Sequence, residues 1–186
     1  GGGMGWWHGG VWHGVVGEDD LSALKPNLEL QRRLKFCSER GLMLVTCSKN
    51  AFSDVAAAFK AHPEWPLGLS DFVLHKVNWL PKGVNVREAA TELGISELQA
   101  VAFIDDNPVE IADVQSTCSE VSTLKVPDYS SDGAEYWKHC WPLDTFRVTK
   151  EDGNKRLLIK TELQRRRATR SMTFAKFIES LDLKVT

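Results

Sequence analysis

Two adjacent carboxylates, Asp105 and Asp106, close the short apolar run Val101 to Ile104 and precede an Asn107–Pro108 turn. Such a run reads as a buried parallel strand, and open α/β sheets bind ligands at the carboxyl ends of their strands. Holding both acids ionised there is costly. Unit charges about 4 Å apart repel by roughly 1 kcal/mol in water and about 4 kcal/mol at a protein surface. A lysine, a cation or a proton on one of the acids has to offset this. A helix-capping role beside the turn would account for one aspartate but not for both. Ser48 and Lys49 follow a second apolar run, and Lys82 lies in a loop. A hydroxyl, a lysine and two acids at one sheet edge match the needs of phosphoryl transfer. The hydroxyl and backbone amides hold phosphate oxygens, the lysine balances charge, and the acids hold Mg²⁺. Singly, Ser48 is an ordinary turn residue and Lys82 an ordinary surface lysine; the signal lies in the combination.

The elements that must position these residues follow from hydrophobic spacing. Pro26 suits a first helical turn, Leu30, Leu34 and Cys37 share one face, and Gly41 stops the helix. Leu42 to Cys47 is a second buried strand, and Asn50 is placed to cap a helix over Ala51 to Ala61, broken by His62–Pro63. Phe72 to Val77 is a strand candidate interrupted by His75 and Lys76, followed by a loop over residues 78–82. Helical spacing returns from Val84 to Leu93, with Gly94 as its stop. The strand Val101 to Ile104, a helix from about Glu110, and a fourth strand, Val121 to Val126, come next. This rhythm specifies βαβ units: a parallel sheet with helices on both faces.

The chain has 186 residues and a formal net charge of −2, enough for one ordinary domain and an argument against a dedicated nucleic-acid binder. Cys37, Cys47, Cys118 and Cys140 show no C-x-x-C spacing and follow no secretory signal, so they read as reduced thiols of a cytoplasmic protein. No apolar run approaches the ~20 residues of a membrane span. Residues 1–10 are dominated by Gly and Trp and are expected to be disordered or a mis-called start, since dense glycine opposes both helix and strand. The chain opens on Gly1, which reads as a fragment edge, a processing site or a gene-model error.

Residues 149–186 form a C-terminal helical extension by the same criteria. Thr149 and Asp152 resemble a capping box, and Lys155, Arg156, Lys160, Arg165, Arg166, Arg167 and Arg170 follow. Phe174, Phe177, Ile178 and Leu181 then keep amphipathic helical spacing. The basic run reads first as a solvated face and second as a phosphate grip for nucleic acid or a carrier.

Five segments carry a resemblance to a known family: VWHGVVGEDD (11–20), LVTCSKNAF (44–52), HPEWPLGLSDF (62–72), VNWLPKGVNV (77–86) and VAFIDDNPVEIADV (101–114). Together they resemble FkbH-like proteins, subfamily IIIC of the haloacid-dehalogenase (HAD) superfamily. The resemblance implies a Rossmann-like HAD domain over residues 11–148, its sheet flanked by helices. It implies Ser48 as the phosphate-binding hydroxyl, with Lys49 and Asn50 in the same substrate-binding loop. It also implies Lys82 as the lysine of the third motif, Asp106 as the Mg²⁺ ligand, and Asp105 beside it orienting the metal shell. Such proteins act on a phosphorylated three-carbon acyl donor and pass a glyceryl group to an acyl carrier protein. A cysteine is implicated in that transfer, and Cys47 alone falls inside a matched motif; a buried strand-end thiol is the alternative.

The family opens with a strand ending Asp-x-Asp-x-Thr, and in register those positions fall on Trp6, His8 and Gly10. Neither Trp nor Gly can form an aspartyl phosphate, and His8 has no nucleophile to assist. The usual acid after SKN is Ala51. The resemblance therefore implies a gap in mid-sheet, a weakened Mg²⁺ site and no turnover. Two readings follow: an FkbH-like enzyme that has lost its nucleophile strand, or a non-catalytic HAD-like module binding a phosphorylated ligand or carrier protein. A nucleic-acid accessory built on Arg165–Arg170 is a third.

Overall fold

The computed structural model describes residues 6–8, 11–13, 25–127, 133–144 and 157–166. Alternating strands and helices dominate: α1 (Lys25–Ser38), β3 (Leu44–Ser48), α2 (Phe52–Ala61), β4 (Phe72–Val77), α3 (Lys82–Leu93), β5 (Ala102–Asp105), α4 (Pro108–Thr117) and β6 (Ser122–Lys125). β1 (Trp6–His8) and β2 (Val11–His13) precede them, α5 (Gly133–Lys138) follows, and residues 157–166 form a further helix, α6. The fold class is α/β.

Among the described residues the strands form three separate pairs. β3 runs parallel to β4 and β5 parallel to β6, whereas β1 and β2 make an antiparallel hairpin. The two parallel pairs share no hydrogen-bonded ladder, yet α3 packs against both. On one face Cys37 of α1 packs with Trp137, Cys140 and Leu143, and Leu42, Ile104 and Leu124 close on that cluster. On the other face Val86 of α3 and Val114 of α4 bury Phe103, and Cys47 of β3 packs against them. Phe103 and Ile104 thus face opposite layers, as strand alternation requires. Val73 and Leu74 of β4 lie with Ala89 of α3, joined by Val45.

The polar pair within β4 does not interrupt it. Lys76 is buried on the α3 side and reaches Glu88 at 3.0 Å and Glu92 at 2.5 Å, while His75 meets Thr46 Oγ1 at 3.0 Å across the parallel pair. Gly41 and Gly94 take φ of 101° and 70° at the two stops read from the sequence.

Several expectations are corrected. Asn50 does not cap α2: the cap position is Ala51, and Asn50 Oδ1 accepts from Ala51 N–H instead, at 2.8 Å. α3 begins at Lys82 rather than Val84, because Pro81 at the cap position carries a fixed φ that leads directly into the helix. β5 is one residue later than read, so Asp105 belongs to the strand and only Asp106 lies beyond it. Trp6–His8 pairs with Val11–His13, while the rest of the stretch 1–10, read as disordered or a mis-called start, lies outside the described residues. The boundary at 148–149, the Thr149–Asp152 box, Lys155, Arg156, Arg167, Arg170 and the stretch 174–181 lie outside the described residues. In α6, Arg165 and Arg166 both pair with Glu162, at 2.8 and 2.9 Å, which offsets part of the basic run.

α3 and α4 approach closely at Gly83, where an added Cβ would sit 2.5 Å from Thr117 Cβ. Gly83→Ala is expected to cost about 1–3 kcal/mol by overpacking, more than alanine's helix preference returns. Urea unfolding of the variant measures this, and an unchanged midpoint would contradict it.

Candidate active site

The carboxyl ends of β3, β4 and β5 meet at one edge. Asn78, just past β4, donates its N–H to the Ser48 carbonyl at 3.1 Å, which fixes the two strand ends together. From the first residue of α3, Lys82 crosses to the other strand pair and donates Nζ–H to Asp105 Oδ2 at 2.5 Å. Both side chains are buried, 12% and 8% exposed, so the pair is poorly screened by water. Asp105 Oδ1 accepts from Asn107 N–H at 2.9 Å, and Asn107 in turn caps α4 by accepting from Val109 N–H. The capping role thus belongs to Asn107 and leaves both aspartates to the site.

Asp106 is more exposed than Asp105, and its carboxyl holds its proton above the usual aspartate range. Partial burial is the larger cause, followed by the charge of Asp105 and a hydrogen bond between the two carboxyls. Two of the three ways of relieving the acid pair are therefore present: a lysine on Asp105 and a tendency of Asp106 to protonate.

Lys49, exposed at the end of β3, reaches Glu110 Oε1 at 2.7 Å on α4. Glu110 and Asp113 are site residues that the sequence reading did not single out. Asp113 Oδ2 accepts from Gly83 N–H at 2.9 Å, tying the start of α3, and with it Lys82, to α4. Their spacing, i and i+3 after the twin aspartates with Val114 at i+4, was the available signal. Asn50 is turned to its own backbone neighbour. Cys47 lies against the core, and burial first, then nearby acids, pushes its thiol up to about 11 despite Lys82. Such a thiol is protonated at neutral pH and is a weak nucleophile.

Mg²⁺ takes hard oxygen ligands in near-octahedral geometry. The oxygens here are of that kind, and Glu110 Oε2 is buried without a hydrogen-bond partner. Asp105, however, is engaged by Lys82 and Asn107, and no three acidic, histidine or cysteine side chains converge among the described residues. This donor set does not fit Mg²⁺ as a self-sufficient site.

No family model and no curated protein sequence matches the chain. Among solved structures it is similar to the N-terminal part of the protein BF1531 from Bacteroides fragilis, which contains a phosphatase domain and was solved in complex with Mg. The two are 29% identical with a TM-score of 0.56, over 67% of this chain and 32% of that one. The chain thus spans about a third of the structure it resembles. Among the described residues no helix is long and apolar enough to cross a membrane.

Because the folded state raises the Asp106 pKa, the ionised carboxylate opposes folding, and stability falls as pH rises from the ordinary aspartate value through the raised one. Asp106→Asn is therefore expected to stabilise the protein at pH 7, with a gain that shrinks as pH falls from the raised value towards the ordinary aspartate value of about 4 and is absent below it. Urea midpoints of both proteins across this range test it; a gain that grows on acidification would contradict it.

Proposed function

We propose that this chain is a HAD-type, phosphatase-like module whose Ser48, Lys82 and Asp105–Asp106 edge takes the phosphate of a small phosphorylated acyl donor. What carries the reading is the Lys82–Asp105 pair, which brings the motifs read from the sequence to one strand edge. The likeness to a phosphatase-containing structure supports it. The finer reading, an FkbH-like glyceryl-transfer module of subfamily IIIC acting with an acyl carrier protein, rests on the sequence motifs.

Phosphate oxygens would take the Ser48 hydroxyl and compete with Asp105 for Lys82 and with Glu110 for Lys49. Four carboxylates (Asp105, Asp106, Glu110, Asp113) face two lysines, so the edge is acidic and disfavours a phosphate dianion in the absence of a cation. A phosphate that arrives with its own counter-cation therefore suits this edge better than a bare dianion. No carboxylate stands in the nucleophile register at Trp6, so hydrolysis by way of an aspartyl phosphate is closed to this chain.

Two measurements test this together. ³¹P NMR titration of inorganic phosphate, with Mg²⁺ present, is expected to show binding that Ser48→Ala weakens at least tenfold. Assays with aryl and acyl phosphates are expected to show no turnover. Absence of phosphate binding would refute the pocket, and hydrolysis abolished by Asp106→Ala would refute the claim of inactivity.

A further inference from the structure

A fully buried asparagine is an odd residue for the interior of α3. Asn85 lies three residues after Lys82, in a helix where leucine or alanine would be the better former. A side-chain amide taken out of water costs free energy unless its hydrogen bonds are made. Asn85 makes them with Asn78. Asn78 Nδ2–H donates to Asn85 Oδ1 at 2.9 Å, and Asn85 Nδ2–H donates back to Asn78 Oδ1 at 2.8 Å. The backbone N–H of Asn85 donates to the Pro81 carbonyl at 3.2 Å and closes the first turn of the helix at the same point.

Asn78 has further ties. Its Oδ1 also accepts from Leu80 N–H at 3.0 Å, and its own N–H donates to the Ser48 carbonyl at 3.1 Å. Ser48 pairs in register with Val77, so Asn78 is the first residue past the end of that ladder. One residue thus grips the end of β3 with its backbone and the start of α3 with its side chain. Ser48 ends the first of these elements and Lys82 opens the second.

The exchange joins two neutral amides, which sets it apart from the other links at this edge. Lys82–Asp105 and Lys49–Glu110 join charged groups, and a bound phosphate competes with the acids for both lysines. A link that the ligand competes for does not fix the spacing of the groups that hold the ligand. The Asn78–Asn85 exchange offers phosphate no cation, so it keeps its geometry whether the edge is empty or filled.

We infer that Asn78 is a positioning residue, whose amide exchange with Asn85 holds the Ser48 hydroxyl at the separation from Lys82 that one phosphate group requires. This rests on the phosphate reading above and adds the residue that sets the spacing of the site. Asn78 acts through Ser48 and does not itself touch the ligand. Lys82 is held independently, by Asp105 and by Asp113 on the neighbouring Gly83. Positioning of this kind makes and breaks no covalent bond.

³¹P NMR titrations of inorganic phosphate into the full chain, with Mg²⁺ present, compare wild type, Ser48→Ala, Asn78→Ser and the double variant. Asn78→Ser is expected to weaken binding about tenfold. The double variant is expected to bind within about twofold of Ser48→Ala alone, because the two residues act as one unit. Asn85→Ser breaks the same exchange from the helix side and is expected to match Asn78→Ser. Val73→Ala, a core truncation near the other end of β4, controls for stability: it is expected to lower the urea midpoint and leave phosphate affinity within about twofold. Losses that multiply in the double variant, wild-type affinity in Asn78→Ser or Asn85→Ser, or an equal loss in Val73→Ala would each overturn the positioning role and leave the phosphate edge intact. Absence of binding by the wild type would overturn the phosphate edge and the positioning role together.

Discussion

Two parallel strand pairs that share no backbone ladder are bridged at their carboxyl ends by a buried ion pair between Lys82 and Asp105. Burying two charges costs several kcal/mol per ion, recovered only where geometry is good and the remaining oxygens are satisfied. Both conditions hold for Asp105, which has Lys82 on one oxygen and the Asn107 amide on the other. The apolar clusters on the two faces bring the pairs to a common distance. They are non-directional, however, and do not by themselves set how the strand ends align. The ion pair, with Asp113 holding Gly83, supplies that alignment.

The same interaction creates the chemical character of the edge. With Asp105 pinned, Asp106 is left beside a carboxylate and keeps its proton more tightly than an ordinary aspartate. Lys49 and Glu110 add a second cross-link between β3 and α4. The result is an acidic rim around two lysines, both already paired. Such an edge is arranged for a ligand that brings its own counter-charge. Acids this close together do not contribute to stability; their presence fits a site rather than a scaffold.

Much of this was legible in the residues. The apolar runs gave β4 to the residue, and β3, β5 and β6 within two, because buried parallel strands are short, continuous and rich in branched side chains. The stops at Gly41 and Gly94 were legible because only glycine takes positive φ readily. Ser48 and Asp105 were legible as strand-end residues with Asp106 just beyond, whereas Lys82, read in a loop, opens α3. Glu110 and Asp113 were not, since two acids on an ordinary helix look like a solvated face until the strand edge beneath them is known. The pairing of Trp6–His8 with Val11–His13 was hidden because glycine density was weighed only as a breaker of structure. The caps at Ala51 and Asn107 show the limit of local rules: Asn50 and Asp106 were both chemically suited, and the backbone selected their neighbours.

The most direct test of the central claim is a double-mutant cycle on the ion pair, measured by urea unfolding of Lys82→Met, Asp105→Asn and the double variant. Each single change is expected to cost about 3–5 kcal/mol, because it strands the other charge in the interior. The double variant is expected to lose at least about 2 kcal/mol less than the sum of the two. Additive losses, agreeing within about 0.5 kcal/mol, would mean that Lys82 and Asp105 do not meet in solution, and the shared edge would fall with them.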